Sequence, residues 1–304
     1  MKTYRSRQVS ILNARLLPHC AGPKLHAFEH RRSPIKWLDR VDGHDDEEDG
    51  GQAYVFKVEI KRKVYALKVV RSEPIPAGGA VPDDQQFKFV HSGELCGAVE
   101  SRTLTTYSVD EILQHLDPFF AECRAYGRIL EEQRSGRLGK AIAVPCLGFL
   151  TLSKADVDEL TRRGIDVWSD IGGDATAEDR QRHAPRAIVK EFVQGDTGVT
   201  PRKMQSILRR IRRLNRIKVY NGDIKPDNFI NGLMVDFGSA KTEPFCVFET
   251  MDARMADGWR KVDLVCFDDM VRMSRIATRV RAMPNWDYCR KLRSSGGRTI
   301  GGLK

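Results

Sequence analysis

The chain has 304 residues, 41% hydrophobic and 30% charged, enough for one large globular domain or two lobes. No apolar run reaches the ~20 residues needed to cross a bilayer, so a membrane-spanning role is not expected. The net charge of +10 is compatible with an acidic partner such as nucleic acid. It is spread along the chain without a recognised nucleic-acid motif, however, and reads more simply as a solvated basic surface.

Residues 1–40 form a basic arm broken by Pro18, Pro23 and Pro34. No acid occurs from Met1 to Phe28, which permits an organellar transit peptide, but a disordered or docking arm is the preferred reading. Arg5, Arg7, Asn13 and Arg15 interrupt any secretory signal. The five carboxylates Asp45 to Asp49, followed by Gly50-Gly51, mark a self-repelling loop. Tyr54–Ile60 and Val64–Val70 are rich in β-branched and aromatic residues and read as an antiparallel pair turning at Lys61-Arg62-Lys63.

Prolines and glycines make 71–106 an insertion. Ser108 and Glu111 form a capping box ahead of a helical stretch, and Pro118 opens a second helix over Phe119–Glu132. Its Phe119, Cys123, Tyr126 and Leu130 are expected to face the core. Ala141–Val144 and Cys146–Leu152 supply strand material, 153–185 reads as a second insertion, and Ala187–Val193 as a further strand.

Thr200-Pro201 is expected to start a helix whose apolar face is Met204, Ile207, Leu208, Ile211 and Leu214. Its arginines lie mostly on the other faces, which could meet nucleic acid or membrane but read more simply as a solvated outer surface. A helix from Val262 is expected to run toward Val280, ahead of a glycine-rich basic tail at 294–304. The seven cysteines are scattered and include no C-x-x-C pair. Neither a zinc ribbon nor a disulfide framework is therefore expected, and a reducing compartment, nuclear or cytoplasmic, fits best.

The densest chemistry lies between Ile217 and Ala240. Asp223, Lys225, Asn228 and Asp236 are groups suited to phosphoryl transfer. Asn231-Gly232, set between Phe229-Ile230 and Leu233–Val235, predicts a two-residue hairpin that returns Asp236 beside Asn228, where both could ligate one divalent ion.

Asn221 to Asn228 followed by Asp236-Phe237-Gly238 resembles the catalytic loop and metal-binding motif of protein kinases, with Asn221 and Gly222 in place of the motif's His and Arg. Ala66-Leu67-Lys68 resembles the nucleotide-binding lysine strand. The resemblance implies an α+β, bilobal protein kinase-like fold, with an antiparallel-sheet N-lobe over 41–193 and an abbreviated, mainly helical C-lobe over 194–293. It also implies ATP and Mg²⁺ as cofactors. Lys68, braced by Glu122, would hold the nucleotide with Gly50 and Gly51, and Asn228 and Asp236 would hold the metal. Asp223 would orient a protein hydroxyl and Lys225 would neutralise the moving phosphoryl group. Residues 117–127 and 228–237 are similar to a fungal kinase-like family that includes an inner-kinetochore subunit.

Two functions remain open on these grounds. One is an atypical protein kinase acting on a protein substrate; the other is a pseudokinase scaffold that binds partner subunits. Retention of the six polar groups favours the enzyme. The Gly-rich loop, with Glu48, Gly50 and Ala53 at its three glycine positions, favours the scaffold, as do the acidic run and the short C-lobe. The balance on sequence alone falls slightly to the enzyme.

Overall fold

The computed structural model describes residues 17, 21–42, 53–70, 106–139, 141–165, 167 and 185–283. Strands β2 (Ala53–Ile60) and β3 (Lys63–Val70) pair antiparallel in full register, from Ala53 opposite Val70 to Ile60 opposite Lys63. Their turn is two residues, Lys61 and Arg62, both at positive φ, one residue shorter than the sequence suggests. β1 (Lys36–Arg40), β4 (Cys146–Thr151) and β5 (Arg186–Glu191) complete an antiparallel sheet in the order β1-β2-β3-β5-β4.

Two expectations change here. Residues 36–40, assigned to a basic arm, are an edge strand with Trp37 buried. Ala141–Val144 contributes only an isolated bridge, from Ala143 to Met234, rather than a strand.

The alternation of strand side chains splits the interior in two. Leu67 and Val69 of β3, with Ala187 and Val189 of β5, join Phe56, Val58 and Ile60 in a core beneath one face. Val70 and Ile188 face the opposite core, which is filled by helix α2 (Pro118–Arg134) and by elements from the second half of the chain. α2 follows α1 (Val109–Leu116), whose Ser108 and Glu111 bond reciprocally as the capping box requires.

Asp117 caps α2 by accepting from Phe119 N at 2.8 Å and Phe120 N at 3.3 Å. From Ala121 to Gly127 every residue of α2 is buried. Gly127 has to be glycine, because a Cβ there would meet the Lys24 backbone at 2.6 Å. Phe119, Cys123 and Tyr126 are buried as the spacing predicts, while Leu130 is only partly so.

A helix, α3 (Lys154–Arg162), stands where an insertion was expected. Ser153 and Asp156 cap it reciprocally, and only its Leu160 is buried. α4 (Met204–Arg216) buries the five apolar residues its pattern predicts. It begins after a turn over 201–203 rather than at Pro201, because Lys203 N bonds back to Thr200 O at 2.9 Å.

β6 (Val219–Tyr220) pairs with β9 (Lys241–Thr242), and β7 (Phe229–Ile230) pairs with β8 (Leu233–Met234). α5 (Cys246–Thr250), α6 (Ala253–Trp259) and α7 (Val262–Met273) follow. α7 stops short of Val280 because Arg275 takes a positive φ and Ile276 N bonds back to Val271 O. The architecture is therefore mixed α+β, with one five-stranded antiparallel sheet and, among the described residues, seven α-helices.

Candidate functional site

Lys68 and Lys190 emerge on the same face of the sheet. Lys68 lies opposite Ile188 and Lys190 opposite Ala66, which makes the two lysines diagonal neighbours on adjacent strands. α2 crosses that face and lowers Glu122, 0% exposed, between them. Lys68 Nζ donates to Glu122 Oε2 at 2.9 Å, and Lys190 Nζ lies against the other oxygen, Oε1. Lys68 also donates to Asp236 Oδ1 at 2.6 Å, and Lys190 to the neighbouring carbonyl of Val235 at 2.6 Å. Two ammonium groups and two carboxylates thus form one linked cluster that joins sheet, helix and the Asp236 loop.

The pair Lys68–Asp236 is tightly coupled. Burial pulls the Lys68 pKa down, but Asp236 and then Glu122 outweigh it and hold the ammonium above the usual lysine range. Burial would raise Asp236, yet Lys68 and then Lys190 hold its carboxylate below the usual range. Its Oδ1 side is enclosed, also accepting from Gly238 N at 2.7 Å, although the side chain as a whole is 39% exposed.

The second half of the site is local. The β7–β8 hairpin turns through Asn231 and Gly232, both at positive φ, as predicted. Its closure places Val235 N on Asn228 O at 3.0 Å. Asn228 Nδ2 donates to Asp223 Oδ2 at 2.9 Å and to the Asp223 carbonyl at 2.8 Å. Lys225 Nζ pairs with the same Asp223 Oδ2 at 2.9 Å. The hairpin therefore brings the ends of the motif together, but the side chains form two groups: Asp236 with Lys68, Glu122 and Lys190, and Asp223 with Lys225 and Asn228. Gly50, Gly51 and the acidic run lie outside the described residues.

Two positions that hold the candidate site together escape sequence reasoning. Lys190 reads there as an ordinary strand residue, and Asp263 as an unremarked acid in the first turn of α7. Asp263 is 1% exposed and holds the loop from below, accepting from Gly222 N at 2.7 Å and Asn221 N at 3.0 Å. The Asn215 amide, turned with its nitrogen toward Asp263 Oδ2, adds a contact at 2.7 Å. Gly222 sits at φ +77°, a conformation that glycine adopts without strain. Asn221 donates to the Asp236 carbonyl at 2.9 Å, which ties the two halves together. Phe237, fully buried, packs edge-on to Tyr126 of α2 with ring centroids 5.0 Å apart.

Among the described residues, no three His, Cys, Asp or Glu side chains gather to hold a metal ion. Among the described residues, neither Asp236 Oδ2 nor Asn228 Oδ1, whose amide nitrogen is committed to Asp223, accepts a hydrogen bond from the protein. No helix of the described chain is long and apolar enough to cross a membrane.

No curated protein matches the chain. A family match covers residues 14–241, well over half of the sequence, and takes in β1 to β8, the charge cluster and the whole loop from Asn221 to Gly238. The chain belongs to the family described as kinetochore Sim4 complex subunit FTA2.

Proposed function

We propose that this protein is an interaction subunit of a kinetochore complex, acting in the nucleus, and that it carries a bilobal kinase-like fold as a scaffold. The observation that carries this reading is the linked cluster of Lys68, Glu122, Lys190 and Asp236 in a member of a kinetochore-subunit family. Its charges balance two against two. Lys68 is braced by Glu122, as the kinase resemblance implies, but it is also held by Asp236. Lys190 occupies Glu122 as well, so the carboxylate that would brace one lysine is shared by two. The cluster thus supports a structural role, locking α2 to the sheet and to the Asp236 loop.

The test is genetic and biochemical. Asp223→Asn and Lys225→Ala, introduced in the native host, should leave co-purification with partner subunits and kinetochore localisation unchanged. A folded, correctly localised Asp223→Asn protein that fails to support chromosome segregation would return the kinase reading to first place.

A second reading is supported by Asn228 Oδ1 and Asp236 Oδ2, which accept no hydrogen bond among the described residues. Asn228 Oδ1 and Asp236 Oδ2 could supply two protein ligands to Mg²⁺, which commonly takes one or two side chains and completes its shell with water and phosphate. Bound there, the ion would neutralise phosphate charge. Asp223 would orient a substrate hydroxyl and Lys225 would offset developing negative charge. ATP titration with and without Mg²⁺ separates the readings: Mg²⁺-dependent binding that Asp236→Asn abolishes supports this one, and no binding in either condition removes it.

A further inference from the structure

The outward face of α4 has a composition that the core does not explain. Its exposed side chains are Gln205, Arg209, Arg212, Arg213 and Arg216, with no apolar residue among them. The four arginines stand at i, i+3, i+4 and i+7, which gathers them in one stripe about 10 Å long. No Asp or Glu occurs from 197 to 222, and none of the four forms an ion pair among the described residues. Arg210 beside them is pulled below the usual arginine range, by burial first and then by Arg209 and Arg213.

A distant segment widens this surface. Arg212 Nη2 reaches Ala282 O at 3.4 Å, and Ile276, Val280, Ala282 and Met283 pack into the same core as α4. The stretch beside the helix exposes Arg275, Arg279 and Arg281. Among the described residues the carboxylate bonded into it is Asp268, which is buried and accepts from Ala282 N at 2.7 Å and Met283 N at 2.8 Å.

We propose that this arginine surface binds the phosphate backbone of double-stranded DNA without reading its base sequence. A guanidinium matches a phosphate with two parallel hydrogen bonds, and the α4 stripe contains arginine but no lysine. A protein partner would need an apolar centre to exclude water from the interface, and α4 exposes none. Backbone binding of this kind requires no recognition motif, which accounts for the lack of one in a chain of charge +10. The inference does not depend on the state of the Lys68 cluster.

The experiment is fluorescence anisotropy of a mixed-sequence duplex of about 20 bp, titrated with the full chain between about 50 and 200 mM salt. Binding should weaken steeply with salt. The triple variant Arg209→Gln/Arg213→Gln/Arg216→Gln, checked for folding by circular dichroism, should lose at least about tenfold in affinity, and its salt slope should fall by about 2.7. The same three positions changed to Lys should keep the slope, which follows charge, but should bind more than about threefold more weakly than wild type, because an ammonium cannot form the two parallel bonds. Lys61→Gln/Arg62→Gln/Lys63→Gln, which removes equal charge from the β2–β3 turn, should bind as wild type does. The proposal is overturned if the wild type shows no salt-dependent binding, or if the β2–β3 variant loses as much as the α4 variant. Displacement of the duplex by polyglutamate at equal charge concentration also overturns it and assigns the surface to an acidic polypeptide.

Discussion

The two halves of the motif are built on opposite principles. The Lys68–Glu122–Lys190–Asp236 half is assembled from four elements distant in sequence, and three of its side chains are less than a tenth exposed. The Asp223–Lys225–Asn228 half comes from six consecutive residues; Asp223 is 40% and Lys225 53% exposed. Buried charges are costly to leave unpaired, whereas exposed pairs are screened by water and contribute little. The first half should therefore report on global stability and the second on local order, even though a kinase-like reading treats them as one site.

The sharpest way to break that contrast is Glu122→Ala. It leaves two buried lysines with one carboxylate, Asp236, between them, and denaturant unfolding should show a loss of about 3–5 kcal/mol. A loss below about 1 kcal/mol would mean that the cluster is not what joins α2 to the sheet. Lys68→Met should cost clearly less than Glu122→Ala, because Lys190 still faces Glu122 after the change.

Next comes Asp263→Ala, which strips the acceptor from two loop N–H groups and should cost about 2–4 kcal/mol at neutral pH. Asp263 also supplies a pH signature. Burial pushes its carboxyl up to about 6, against the pull of the Gly222 and Asn221 N–H groups. A folded-state pKa above the unfolded value makes this group's contribution full below about pH 4 and lost as pH rises through 6. Urea unfolding from pH 4 to 7 should therefore show wild type falling relative to Asp263→Asn, by at most about 3 kcal/mol. Asp236, with its pKa lowered, acts in the opposite sense: its contribution is present above about pH 4 and fades as pH falls.

The smallest effects belong to the local half. Asn228→Ala should cost about 1 kcal/mol through its lost bonds to Asp223. Lys225→Ala should fall within about 0.5 kcal/mol of wild type, because its ion pair is exposed. A Lys225 effect as large as that of Glu122 would erase the distinction between the halves.

What sequence could reveal follows the same division. The β7–β8 hairpin was legible because Asn231-Gly232 is a local conformational signal. α4 was legible because five buried residues repeat with its period, although its first turn was misplaced by the Thr200-Pro201 signal. α3 was hidden because it buries a single residue, Leu160; only the Ser153–Asp156 cap marked it. Lys190 and Asp263 were hidden for another reason. A lysine in a strand or an acid at a helix start is locally unremarkable, and its role exists only once distant partners arrive. The Lys68–Glu122 contact was reached through family resemblance, since nothing in the spacing of 54 residues demands it.

The segment around Lys24 to Phe28 has a consequence for how the chain is made. It covers the outer edge of β4, with Phe28 N on Phe149 O at 2.8 Å and Phe149 N on His26 O at 3.2 Å, and its backbone fills the notch at Gly127. During synthesis this segment leaves the ribosome before any of those partners. At about 5–20 residues per second, the partners on α2 and β4 follow on the order of ten seconds later. Until then Leu25 lacks the α2 side of its native core, whereas Phe28 can already meet Tyr65 of β3. The β4 edge then becomes a competitor for any other strand until the waiting segment docks. Chaperone engagement with the nascent chain should be strongest in that interval and should end once Phe149 has emerged.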